Sequence, residues 1–169
     1  MGRRVRVDAV TIHRMAPDPI ADNGGVSTPE NSTPENILDL MPLATTLGIR
    51  LVESEPGSVR ATLAHRPELC TTGGMLHGGA IMALADSTGG ACAFLNLPDG
   101  AGGTSTIESK TNFLRAVRSG TVTAVSRPLH TGRTVIVVET DVTDADGRLV
   151  AKVTQTQAVL HQPARSSSA

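Results

Sequence analysis

Aromatic residues are nearly absent from this 169-residue sequence, which has no Trp, no Tyr and only Phe94 and Phe113. Without aromatic side chains for bases to stack on, single-stranded nucleic-acid binding loses its usual basis. An excess of either charge is also lacking, because 15 Lys and Arg stand against 16 Asp and Glu. That balance predicts no general attraction to nucleic acid or to a membrane surface. Cysteine is scarce, with Cys70 and Cys92 alone, so no disulfide framework is expected. Arg3, Arg4 and Arg6 open the chain, but the apolar run of a secretory signal does not follow them. Arg6 also stands where a myristoylation signal beginning at Gly2 has Ser or Thr. The expected compartment is the cytoplasm.

What remains is a chain of one-domain length whose core must be built from Val, Leu, Ile, Ala and Met. Turn and breaker residues crowd positions 1–33, from Pro17-Asp18-Pro19 to Ser27-Thr28-Pro29, and predict a disordered extension. A similar tail is expected over 162–169, which leaves a folded domain at 34–161. Within it, Thr33 and Pro34 suit a helix start, Ile37, Leu38, Leu40 and Met41 supply its apolar face, and Pro42 is expected to end or kink it. Strands are expected from about Ile49 to Ser54 and from Ser58 to Ala64 across the Glu55-Pro56-Gly57 turn, followed by an irregular loop to Gly74. A buried helix is expected between Met75 and Leu97. Asp86 and four glycines argue against reading it as a membrane span. Gly78, Gly79, Gly89 and Gly90 each cost about 1 kcal/mol against Ala inside a helix, which predicts close approach of another backbone. Four strands follow, near 104–116, 121–129, 134–143 and 148–161. The short spacing requires an antiparallel sheet, so the fold class is α+β with one helix against a curved sheet.

The segment that carries chemistry runs from Gly74 through His77-Gly78-Gly79 to Asp86. A glycine-rich helix start presents unpaired N–H groups, and these with the helix dipole suit a carbonyl oxygen gaining negative charge. Asp86 lies about two turns on in an apolar stretch, where an unpartnered carboxylate is costly, so it should face a cavity or a partner.

This segment resembles the hotdog-fold acyl-CoA thioesterases, specifically the phenylacetic-acid-degradation (PaaI-like) group. In that group His-Gly-Gly opens the central helix and an acidic residue lies nine positions after the His, as Asp86 does after His77. The resemblance runs from about Leu43 to Leu160 and includes Thr111 to Val117 with Gly120, Gly132-Arg133 and Asp146 to Ala151. It implies a curved antiparallel sheet wrapped around one long helix, in a homodimer or homotetramer with active sites between subunits. It implies hydrolysis of an aromatic or medium-chain acyl-CoA without metal or cofactor. Gly79 N–H would polarise the thioester carbonyl, beside Gly78. Asp86 of a neighbouring subunit would attack or activate water, His77 would orient the loop or thioester, and Thr106, or else Thr104, would support the carboxylate. Where many relatives have Asn or Gln, six residues before the His, this chain has Thr71, with Thr72 as a possible stand-in. Lys110, Arg115, Arg118 and Arg133 are the candidates to meet CoA phosphates.

Plainer readings stand beside these. A His at a helix start is commonly a structural hydrogen-bonder, a buried Asp is commonly paired, and surface Lys and Arg are commonly just solvated. Cys92 has no basic residue near it in sequence and reads as a core thiol. The acidic spacing over 141–147 does not fit a calcium loop, and His13, His65, His77, His130 and His161 lack metal-ligand spacing. A non-catalytic acyl-CoA-binding or regulatory protein of the same fold is the alternative, and a dehydratase of hydroxyacyl thioesters is a third reading.

Overall fold

The structure, a computed structural model, describes residues 37–161. The expected disordered ends and the helix start at Thr33-Pro34 lie outside the described residues. One 3-10 turn, Ile37–Leu40, leads into helix α1, Pro42–Leu47. The first helical segment does stop before Pro42, as expected, and Pro42 also begins a second one. It occupies the first turn, where a missing N–H costs nothing, and Gly48 closes the helix at φ 72°. Strands β1 (Arg50–Glu55) and β2 (Ser58–Ala64) form the first hairpin. Helix α2 spans Gly78–Leu95. It starts later than the apolar run at Met75 because His77 is still extended, at φ −65° and ψ 136°.

Strands β3 (Ala101–Phe113), β4 (Thr121–Thr131), β5 (Val135–Thr143) and β6 (Leu149–His161) complete a six-stranded sheet. Every pairing is antiparallel and the order is β1-β2-β4-β5-β6-β3. This is the hotdog arrangement: α2 lies against the face formed by Val59, Ala61, Leu63, Val122, Ala124, Ile136, Val138, Val153 and Val159. The helix contributes Leu84, Ala85, Ala91, Cys92 and Ala93, all fully buried. Small residues on the helix and β-branched ones on the sheet let the two layers approach closely. Burying a Leu or Val here is worth about 1.5–3 kcal/mol.

The helix glycines differ in purpose from what was expected of them. Side chains, not another backbone, approach three of them. The Phe113 ring lies against Gly78, the His77 ring against Gly79 and the Gln155 amide against Gly89, while nothing lies within 4 Å of a Cβ placed at Gly90.

Strand β3 carries a bulge between Thr106 and Glu108. Upstream of it Thr106 pairs with the inward-facing Gln157. Beyond it Ser109 pairs with Gln155 and Lys110 with Thr154. The extra residue, Ile107, shifts the side-chain alternation by one. Glu108 and Lys110 therefore fall on the outer face of the sheet, away from α2.

Candidate active site

The entrance to α2 is built by its own cap. The N–H of Gly79 donates to His77 Nδ1 at 2.8 Å, and the His77 carbonyl accepts from Ala80 (2.9 Å) and Ile81 (3.2 Å). The preceding loop is pinned from both sides, His77 N–H donating to Leu69 O and Leu76 N–H to Val117 O, each at 2.8 Å. The expected free donor at Gly79 is thus engaged by its own histidine. The N–H of Gly78 has no acceptor among the described residues. A Cβ at Gly78 would lie 3.0 Å from Phe113 Cζ, so glycine is needed for the ring to sit over the helix start.

Two cavities flank this entrance. One, of about 390 Å³, is lined by Thr71, Met75, Gly78, Ile81, Phe113 and Arg115. The other, of about 340 Å³, is lined by Leu43, Leu47, Glu68, Cys70, His77 and Ala83, among others. Thr71 Oγ1 is buried without a hydrogen-bond partner, whereas Thr72 is exposed. Arg115 therefore lies beside the helix start, and Arg118 donates from Nη1 to Gly73 O at 3.4 Å in the same loop. Arg133 does not join them. Its carbonyl accepts from His161, which pairs with Ala101 at the opposite end of β3 from Phe113. Lys110 is on the outer face, as described above.

Asp86 lies two turns into α2 and faces outward on the side of β3. Its Oδ1 accepts from Gln155 Nε2 at 2.6 Å and from Thr106 Oγ1 at 3.3 Å. Thr106 Oγ1 in turn accepts from Gln157 Nε2 at 2.9 Å. Thr106, expected beside the carboxylate, is within hydrogen-bond reach of it. Thr104 makes no side-chain hydrogen bond among the described residues.

Sequence reasoning missed Gln155 and Gln157, which are 0% and 1% exposed. A signal was present. On β6 the inward positions run Val153, Gln155, Gln157, Val159, and two amides in a row of valines break the apolar alternation of a half-buried strand. An unexpected contact also backs the second cavity, whose lining residue Cys70 has its Sγ 3.1 Å from His65 Nε2. No group of three His, Cys, Asp or Glu side chains is arranged to hold a metal among the described residues. Cys92 is a core thiol, as its sequence setting suggested, and burial pushes it up to about 11.

A family model described as the thioesterase superfamily matches residues 73–151, from the loop before α2 into β6. A Saccharolobus solfataricus protein that carries an esterase name is 41% identical over 106 residues, covering 63% of this chain and 74% of the relative. The 1,4-dihydroxy-2-naphthoyl-CoA hydrolase of Escherichia coli is 36% identical over 87 residues, covering 52% of this chain and 63% of that enzyme. Among solved structures, a mutant thioesterase from Pseudomonas aeruginosa superposes with a TM-score of 0.69 at 30% identity, covering 77% of this chain and 97% of that one.

Proposed function

From this chain's membership of the thioesterase superfamily and the setting of Asp86, we propose that it hydrolyses acyl-CoA thioesters to free acid and CoA. The observation that carries the proposal is a carboxylate held at one oxygen by two donors, on the open side of a helix whose start has an unpaired N–H at Gly78 and a Gly79 N–H capped by His77. The thioester carbonyl oxygen takes the place of His77 Nδ1 at the Gly79 N–H, beside Gly78 N–H, and the carbonyl carbon becomes electrophilic. Asp86 then attacks that carbon or removes a proton from an attacking water. The new C–O bond forms, the C–S bond breaks and CoA leaves as the thiol.

Helix geometry argues for dividing this chemistry between two chains. Seven residues separate Gly79 from Asp86, a rise of about 10 Å along the axis. One carbonyl group cannot meet both from the same helix. In this reading a second copy would supply the carboxylate, in a homodimer or homotetramer, and the unpaired edge of β3 beside Asp86 is the surface that would receive it. Arg115 and Arg118 stand where CoA phosphates would leave the first cavity. The apolar second cavity suits an aromatic or medium-chain acyl group. The E. coli relative's name, a naphthoyl-CoA hydrolase, is in keeping with an aromatic acyl group.

One observation favours a second reading, acyl-CoA binding without turnover: Thr71 brings a short, unpartnered hydroxyl to the wall where many relatives have an amide. Thiol release from a panel of acyl-CoAs separates the two. Hydrolysis by the full chain that falls about 10²–10⁴-fold in Asp86→Ala establishes the first reading. An Asp86→Ala variant with wild-type turnover overturns the role of Asp86, and tight binding of the esters with no thiol release establishes the second.

A further inference from the structure

Resting on the assignment of Asp86 as the reacting carboxylate, we propose that Gln155, seated in a slot left by Gly89, is a positioning residue. It commits Oδ1 of Asp86 to the protein and leaves Oδ2 as the oxygen that acts on substrate.

Gln155 points inward from β6 and is fully buried. A carboxylate offers only acceptors, so the short contact with Asp86 Oδ1 fixes the amide with Nε2 toward Asp86 and Oε1 away from it. Turned that way, Oε1 is buried and has no partner. An unmet acceptor in the dry layer between helix and sheet lowers stability. A second local cost sits beside it, since Gly89 lies inside α2, where glycine is a poor helix former. A Cβ at Gly89 would fall on Gln155 Oε1 and lie 3.0 Å from Cδ. The amide reaches Asp86 only because position 89 has no side chain. Both costs converge on one contact, the hydrogen bond to Asp86. At Val153 and Val159, the inward positions on either side of the amide pair, the same strand uses hydrocarbon.

The other donor is aimed in the same way. Gln157 Nε2 donates to Thr106 Oγ1, so the Thr106 hydroxyl hydrogen is left to point at Asp86. Both donors land on Oδ1, and Oδ2 has no hydrogen-bond partner among the described residues. The outward face of Asp86 therefore presents one defined oxygen with its lone pairs unused.

The test is steady-state hydrolysis by full-length Gln155→Met, Gly89→Ala and the double variant, with Asp86→Ala alongside, and a melting temperature for each. Gln155→Met keeps the bulk and removes the amide. The expected result is a fall in kcat of about ten- to a hundredfold with KM little changed, and a melting temperature that holds or rises because the orphaned acceptor is gone. Gly89→Ala should reproduce the kcat loss from a position that touches neither substrate nor Asp86, and the double variant should fall no further than Gln155→Met. A purely structural role would lower the melting temperature and leave kcat per folded molecule unchanged, and that result overturns the proposal. If Asp86→Ala is inactive while Gln155→Met and Gly89→Ala keep wild-type kcat, the positioning role alone is wrong. If Asp86→Ala retains activity, the reading of Asp86 fails and this one with it.

Discussion

The two edges of the sheet, β1 and β3, solve opposite problems. Each has a bulge, and each bulge leaves an exposed β-branched residue, Val52 at 57% and Ile107 at 63%. Beyond that they diverge. Strand β1 has six residues, of which Arg50, Glu53 and Glu55 are charged, and Glu53 is tied to Arg60 at 3.6 Å. Short length, charge and a bulge are the devices that stop an edge from pairing with another chain. Strand β3 has thirteen residues with Glu108 and Lys110 as its only charges, and it carries Thr106 against Asp86. The edge beside Asp86 is long and nearly uncharged and so lacks two of those three devices, as the proposed pairing with a second copy requires.

Matched substitutions at the two bulges give the largest contrast. Ile107→Lys should convert the assembly to monomers in analytical ultracentrifugation, and thioester hydrolysis should fall by about 10²–10⁴ as the neighbour's carboxylate is lost. An Ile107→Lys chain that stays oligomeric and active would show that β3 is not the shared edge. Within β3, Thr106→Val should lower kcat about tenfold by deleting a hydrogen bond to a charged group, and Thr106→Ser should restore most of it. In the loop just after β3, Arg115→Ala should raise KM for CoA esters by up to about fivefold, more at low salt than at high, as loss of an exposed charge contact does. Lys110→Ala should leave KM unchanged, because that side chain is on the outer face. The smallest effect is expected at the other edge. Val52→Lys should leave assembly and turnover as they are and alter stability by no more than about 0.5 kcal/mol in urea unfolding.

The contrast also explains what could be read in advance. Strands β2, β4, β5 and β6 announce themselves by β-branched alternation and the turns between them, even where Ser126, Thr140, Gln155 and Gln157 interrupt the inward hydrocarbon. So does a helix opened by His-Gly-Gly with an acid nine positions on. Thr106 and Thr104 share a face because the stretch between them lies between the two register shifts of β3, at Ala101/Gly103 and Thr106/Glu108. Lys110 could not be placed, because counting in steps of two past Ile107 assigns it to the wrong face, and bulges leave little trace in composition. Pro42 fills both roles open to proline, closing off the turn before it and opening α1, and only the first is legible from its apolar surroundings. The amide pair Gln155 and Gln157 was missed for a different reason. A strand of Thr, Gln and Val looks like an ordinary half-exposed one until its pairing shows which parity is inward. The engagement of Gly79 by His77 depends on a side-chain rotamer, which the sequence does not specify.

The helix cap also settles where a proton resides. Because His77 Nδ1 accepts from Gly79, the neutral imidazole carries its single ring hydrogen on Nε2. While the cap is closed, the ring has no lone pair to offer. The start of α2 then greets an incoming molecule with hydrogens only, the Gly78 N–H and the His77 Nε2–H. At the helix start itself an incoming carbonyl or phosphate oxygen meets donors. The acceptors that a ligand's own hydrogens could use stand apart in the flanking cavity walls, at Glu68 and Thr71.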